Sequence, residues 1–165
     1  MKNKAFMVIP LLFLFTLRSR KVKAEELISR FEGLRLKAYQ DVGGIWTIGY
    51  GSTRDPFTGL PVKRGDVITK DTALTWLKKE IETKLAGIKK LIKVPVTDNQ
   101  LTALTSLAYN IGTGAFSRST LLRLLNSKAP KTDIANEFLK WNKVRGKEVK
   151  GLTNRRNLEK DLFLS

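Results

Sequence analysis

Apolar residues along this chain change their spacing from one stretch to the next, and the changes mark out its elements. In residues 24–32, AEELISRFE, positions Ala24, Leu27, Ile28 and Phe31 recur at the i, i+3, i+4, i+7 spacing of an amphipathic helix. Gly33 follows as its stop, because glycine takes the left-handed conformation that closes helices without a steric penalty. Between 34 and 66 the helical period gives way to short extended pieces separated by GG, YGST, DPFTG and KRGD, which predict turns in a small β-rich region. Helical spacing returns at TKDTALTWLKKEIETKLAGIKKLI, where Thr69 or Asp71 can cap a long helix that ends near Ile92 and is closed off by Pro95. Another helix is predicted over TDNQLTALTSLAYNIG (97–112), and shorter ones over SRSTLLRLLN, KTDIANEFLKW and GLTNRRNLEKDLFL.

A leading helix, a small sheet and a mainly helical body make an α+β chain, and a two-part layout of this kind leaves a cleft where the parts meet. Residues 24–165 are expected to form the working domain, and residues 1–23 are set apart as a leader. The leader's apolar run 5–17, AFMVIPLLFLFTL, follows Lys2 and Lys4, the order found in secretory signals. A helix of that length reaches only about 20 Å against a hydrocarbon core of ~30 Å, so a stable transmembrane span is not expected. VKA at 22–24 offers small or aliphatic residues before a cut after Ala24, whereas the basic flank RSRKVK opposes translocation. Two readings stay open: an export or tethering signal that touches the membrane through 5–17, or a hydrophobic arm that never crosses a bilayer.

Composition narrows the chemistry. The chain has neither cysteine nor histidine, which removes thiol nucleophiles, Ser-His-Asp catalysis and nearly all zinc or copper sites; no metal or organic cofactor is implied. Acid–base work must come from Asp, Glu, Lys or Tyr. With 31 basic against 15 acidic side chains the net charge is +16, which favours an anionic partner: nucleic acid, an anionic membrane or an anionic cell-wall polymer.

Most of the acids have ordinary explanations. Glu80, Glu82, Glu137, Glu148, Glu159 and Asp161 lie among lysines and arginines in helical stretches, where solvation or weak surface pairing accounts for them. Asp71, Asp98 and Asp133 sit at helix starts, where they cap or complement the dipole. Glu32 and Asp41 fit neither group. Glu32 occupies the last turn of the first helix, at the dipole's negative end and beside Phe31 and Ile28; both settings disfavour charge on it, as suits a proton donor near neutral pH. An exposed glutamate at a frayed helix end is the alternative. Asp41 precedes VGG and IWTIGYG, where Trp46, Ile48 and Tyr50 alternate with Thr47, Gly49 and Gly51. One strand face is then bulky and the other nearly bare, open to close approach by a ligand. A two-residue Gly43-Gly44 turn pairs Asp41 with Trp46 and points it away, whereas a three-residue Val42-Gly43-Gly44 loop pairs it with Ile45 and sets it beside Thr47. On spacing alone Asp41 also reads as a turn aspartate.

The run FEGLRLKAYQDVGGIWTIGYGST, with Glu32, Asp41 and Thr47 at their spacing inside a specific glycine pattern, closely resembles the catalytic signature of the phage-type lysozymes, the endolysins of glycoside hydrolase family 24. TDNQLTALTSLAYNIGTGAFSRSTLLRLLN is similar to that family's central helix and the turn after it, and KGLTNRRNLEKDLF to its closing helix, so the resemblance covers roughly residues 24–164. It implies a lysozyme-like fold, with a small β-rich lobe, a larger helical lobe and a cleft between them. The activity it implies is that of a muramidase, cleaving the β-1,4 bond between N-acetylmuramic acid and N-acetylglucosamine in peptidoglycan and so lysing the host cell. Such an enzyme is made in the host cytoplasm and acts in the periplasm, exported by the leader or released by a holin. By the same resemblance Glu32 is the general acid, Asp41 the second carboxylate acting as base or charge stabiliser, and Thr47 a holder of the attacking water. Thr53, Asn110 and Ser119 are placed along the saccharide cleft, and Arg155 beside the catalytic glutamate. Without the resemblance these four read as a turn residue, a buried amide, a helix cap and a solvated charge. Ser52 stands where some relatives have histidine, and the lack of cysteine removes the disulfide rearrangement that activates some membrane-tethered relatives.

Trp46, Tyr50, Trp76, Tyr109 and Trp141 fall on apolar stripes and are expected to pack the core or the lobes rather than to stack on sugars. Two other classes of function compete. A nucleic-acid-binding module is suggested by the charge and by KKLIK and NRRNLEK, and a membrane-disrupting protein by the leader or a basic helix. The basic residues are spread over many segments without a recognition-helix motif, so no specific nucleic acid is expected. The expected partners are peptidoglycan glycan strands and the anionic envelope surface around them, with the chain acting as a monomer.

Overall fold

The computed structural model describes residues 24–41 and 43–165; the leader, residues 1–23, lies outside the described residues. Helix α1 (Ala24–Glu32) forms on the expected stripe, buries Leu27 and Ile28, and stops at Gly33, whose φ is +69°. Strands β1 (Arg35–Gln40) and β2 (Trp46–Gly49) pair antiparallel, with Tyr39 opposite Thr47 and Gln40 opposite Trp46. Asp41 N donates to Ile45 O at 3.0 Å and Gly44 N to Asp41 O at 2.9 Å, so the three-residue register is the one adopted.

The second strand is shorter than the alternation predicts. Gly49 (φ +66°) and Gly51 (φ +99°) both leave the extended region, and the chain turns back so that Ile48 bridges Ser52. The bare face expected at Gly49 is corrected as well. A Cβ there would meet Ile68 Cδ1 at 3.3 Å and Ala73 Cβ at 3.4 Å, so the missing side chain admits the next helix and not a ligand.

That helix, α2 (Lys70–Leu91), is capped by Thr69, whose hydroxyl accepts from Thr72 N, while Asp71 sits in the first turn. Its Ala73, Leu77 and Ile81 pack with Ile28 and Tyr50 into a small core that joins α1, α2 and the β lobe. Ile88, further along, belongs to a second, larger core. Helix α3 (Asp98–Ile111) opens on a Thr97/Gln100 capping box and ends at Gly112. Seven consecutive residues, Thr102 to Ala108, are buried, as befits a helix surrounded by others.

Around it lie α4 (Thr113–Ser117), α5 (Thr120–Asn126), α6 (Lys131–Asn136), a 3₁₀ stretch Glu137–Trp141 and α7 (Lys150–Leu164). Leu104, Leu107, Phe116, Phe138 and Phe163 are completely buried together. At about 1.5–3 kcal/mol for a large apolar side chain, burial of Phe163 in this cluster helps to hold α7 against the helices around α3. Periodicity signals neither α4, a helix of little more than one turn, nor the hairpin of β3 (Lys143–Val144) and β4 (Lys147–Glu148), whose turn needs positive φ at Arg145 and Gly146. Among the described residues no helix is long and apolar enough to cross a membrane.

Candidate active site

Glu32 ends α1, and its Oε1 accepts from Arg155 Nη1 at 2.7 Å, which ties the first helix to the last. The other oxygen faces the β lobe. A Cβ built on Gly51 would lie 3.8 Å from Glu32 Oε2, an ordinary van der Waals distance, so that oxygen lies next to Gly51. Gly51 is also part of the wall of a cavity of about 400 Å³, shared with Thr53, Arg54, Pro56, Glu80, Thr83, Lys84 and Tyr109. The Glu32 side chain is 22 % exposed and Arg155 only 3 %. One carboxylate oxygen is therefore held by an interior guanidinium while the other lies beside Gly51 of the β lobe.

Asp41 is anchored differently. Its Oδ1 accepts from Gly43 N at 2.8 Å and Ile45 N at 2.9 Å, an Asx turn that organises the hairpin tip. The turn role read from the sequence is real, and it occupies only one of the two oxygens. The Thr47 hydroxyl, buried at 4 % exposure, donates to Ile45 O at 3.0 Å, so toward any further group it can act only as an acceptor.

Thr53 is exposed and lines the cavity, and Asn110 is exposed in the last turn of α3, next to Tyr109. The reading of Asn110 as a buried amide is thereby corrected. Ser119 is buried as the N-cap of α5: its hydroxyl accepts from Leu122 N at 3.1 Å and donates to Phe116 O at 2.7 Å, which uses its one proton inside the protein. Arg155 is no solvated charge; its guanidinium lies behind Glu32 and 5.2 Å from the centre of the Phe31 ring.

Several buried polar groups escaped the sequence reading. Glu159 is completely buried and Glu137 is 8 % exposed, against the expectation of solvated surface acids. Glu159 Oε1 accepts from Ser106 Oγ at 2.6 Å, from Arg155 Nε at 3.1 Å and from Arg156 Nη2 at 3.1 Å. Arg156 Nε lies 2.8 Å from Glu159 Oε2 in an ion pair without hydrogen-bond geometry. Burial raises the Glu159 carboxyl from its ordinary value, opposed by the charge of Arg156. Burial likewise lowers Arg156, opposed by Glu159. A signal for this was present, because Leu152, Arg155, Glu159 and Phe163 recur at helical spacing and place Glu159 on the face of the core residue Phe163.

Glu80 and Tyr109 also depart from expectation. Tyr109 lines the cavity, and its hydroxyl donates to Glu80 Oε2 at 2.7 Å. Burial, reinforced by the Glu80 charge, pushes the phenol well above its usual value. Lys84 lies 5.2 Å above its ring. Among the described residues no cluster of His, Cys, Asp and Glu could hold a metal ion.

A small β lobe and a helical lobe spanned by α2, with the carboxyl at the end of α1 beside Gly51 of the β lobe, define a lysozyme-like α+β enzyme. The Phage lysozyme family model matches residues 29–159, and the chain belongs to that family. It is 46 % identical over 143 residues to the endolysin of Acyrthosiphon pisum secondary endosymbiont phage 1, covering 84 % of this chain and 93 % of that protein. The endolysin of Bacillus phage B103 is 45 % identical over 141 residues, which are 84 % of this chain and 51 % of that longer protein, so the chain spans about half of that relative. The SAR-endolysin of Enterobacteria phage P21 is 35 % identical over 133 residues, 81 % of this chain and 77 % of its own. Among solved structures, an endolysin from Escherichia coli O157:H7 phage FAHEc1 has a TM-score of 0.77 at 43 % identity and covers 88 % of this chain and 92 % of that one. The chain is a lysozyme hydrolase, a phage muramidase that lyses the host cell wall.

Proposed function

We propose that Glu32 is the proton donor in cleavage of the β-1,4 bond between N-acetylmuramic acid and N-acetylglucosamine, with Asp41 and Thr47 serving the attacking water. The observation that carries this reading is the divided setting of the Glu32 carboxyl, with Oε1 on Arg155 and Oε2 beside Gly51, a residue of the cavity wall. A general acid has to bring one oxygen within hydrogen-bond reach of the leaving group, and a carboxyl anchored by its other oxygen does so without losing its aim. Asp41 is the second carboxylate of the pair that glycoside hydrolysis requires, acting as base or charge stabiliser through the oxygen its turn leaves unused. Thr47 accepts a hydrogen bond from the water. Thr53 and Asn110 contribute polar contacts to the saccharide; Ser119 acts by fixing the start of α5, and Arg155 by holding Glu32.

Residues 24–165 are the catalytic domain, and residues 1–23 bring it to the membrane through the apolar run 5–17. The similarity to a SAR-endolysin supports that route from the host cytoplasm to the periplasm. A net charge of +16 concentrates the enzyme, as a monomer, at the anionic envelope.

The test is reducing-sugar release from purified peptidoglycan by wild type and Glu32→Gln, each made with and without residues 1–23. The near-isosteric variant is expected to lose about 10²–10⁴-fold in rate while its circular dichroism stays that of wild type. Equal sugar release by both would assign the chemistry elsewhere.

A further inference from the structure

Arg155 is gripped on three sides, and Glu32 is only one of them. Nε donates to Glu159 Oε1 at 3.1 Å, and Nη2 to the Ser106 carbonyl at 3.2 Å and its hydroxyl at 3.4 Å, which leaves Nη1 for Glu32. A guanidinium is planar, with its donors in a rigid fork, so pinning two of them fixes the direction of the third. Glu159 is fixed in turn by Ser106 Oγ and by Arg156. Ser106, Arg156 and Glu159 are wholly buried and Arg155 is 3 % exposed, so solvent cannot substitute for the contacts among these four residues.

The charges sum in an informative way. Arg155 and Arg156 against Glu159 leave one positive unit, and Glu32 supplies the matching negative one. Buried ion clusters are costly to desolvate and are often no more stabilising than well-packed apolar residues. Finding one directly behind the reacting carboxyl therefore calls for a purpose other than stability.

We infer that Glu159 and Ser106 are positioning residues that aim Arg155 at Glu32, and that the Arg156–Glu159 pair sets the electrostatic potential in which Glu32 gives up its proton. The inference rests on the assignment of Glu32 as proton donor. Other ionisable groups around the cluster are accounted for. Tyr109 of α3 is hydrogen-bonded to Glu80 of α2, and Glu137 of the 3₁₀ stretch is paired with Lys140. From that stretch the Trp141 carbonyl also accepts from Arg156 Nη1 at 3.5 Å.

The experiment is the pH–rate profile of peptidoglycan hydrolysis for full-length wild type and four variants: Glu159→Gln, Arg156→Gln, the double substitution, and Ser106→Ala. Thermal melts establish that each is folded. Glu159→Gln leaves two buried cations near Glu32, so the alkaline limb of the profile moves to lower pH, by about half a unit to one unit. Arg156→Gln leaves the potential less positive and moves the limb to higher pH. The double variant restores the charge sum and brings the limb back toward wild type. Ser106→Ala keeps all charges and loosens the hold of the Ser106 hydroxyl on both Glu159 and Arg155, so it lowers kcat without the charge-dependent displacement of the limb. A purely structural role would lower the rate without opposite displacements, and limbs that coincide in the folded variants overturn the inference. Should Glu159→Gln not fold, the direction of the Arg156→Gln displacement decides alone. Glu32→Gln is measured alongside: its retention of full activity would instead remove the proton-donor assignment on which the inference stands.

Discussion

Arg155 and Glu32 are 123 positions apart in the chain and 2.7 Å apart in the fold. Their ion pair closes the molecule, because it joins the acid at the end of the first described helix to the interior of the last. It also means that Glu32 and the helical core are not separable parts.

Replacing Arg155 by Ala leaves Glu32 unpaired and strips Glu159 of one of its two arginines. Breaking a buried pair by removing one partner costs about 3–5 kcal/mol. Because Glu32 is 22 % exposed and can recover some hydration, the lower end of that range is expected. Urea unfolding measures it directly, and a midpoint equal to that of wild type would show that the pair contributes nothing to stability.

At position 41 charge and turn geometry can be separated. Asp41→Asn keeps an oxygen to accept from the Gly43 and Ile45 amides but removes the charge; Asp41→Ala removes both. Asn is expected to lose about 10²–10⁴-fold in activity with stability within about 1 kcal/mol of wild type, whereas Ala also costs about 1–3 kcal/mol. Equal activity of Asn and wild type in the sugar-release assay would leave Asp41 with the turn alone.

Gly49→Ala tests the junction between the β lobe and α2. A side chain there is forced into the left-handed region at φ +66° and against Ile68 and Ala73 at 3.3–3.4 Å. The backbone penalty alone is about 1–2 kcal/mol. A lowered melting temperature is the expected result, and an unchanged one would mean that the lobe shifts freely on the helix.

Tyr109 gives a pH-dependent prediction. Its folded proton affinity is raised by burial, with the Glu80 charge adding to it, so the folded state keeps the proton where the unfolded chain releases it, above about pH 10. The contribution is fully present below that pH and is lost as pH rises further. Tyr109→Phe removes it, so wild-type stability should fall more steeply than that of the variant between pH 9 and 11. Parallel urea-unfolding curves across that range would contradict the assignment. Tyrosinate absorbance of the two proteins should also coincide until they unfold.

What could be read without coordinates follows from locality. Helix α1, the capped starts of α2 and α3, and the glycine stops at 33 and 112 depend on residues within a turn or two of each other, and they formed as the pattern predicts. The short α4 and the β3–β4 hairpin carry too few residues to show a period. The end of β2 at Gly49 was hidden because alternation continues through Tyr50 and Gly51 while the backbone, freed by glycine, turns away.

The sequence by itself determined the order of the longer helices and the first hairpin, the α+β class, and the presence of Glu32, Asp41 and Thr47 at a recognisable spacing, because these are properties of neighbours along the chain. Only the tertiary structure decided which hairpin register Asp41 takes, that Ser119 spends its hydroxyl on a cap, and that Glu159 is an interior group. Long-range packing sets those outcomes. The charge on Glu159 looks like a surface charge until Phe163, four residues on, is drawn into the core and carries that face of α7 inward, where Arg155, Arg156 and Ser106 meet it.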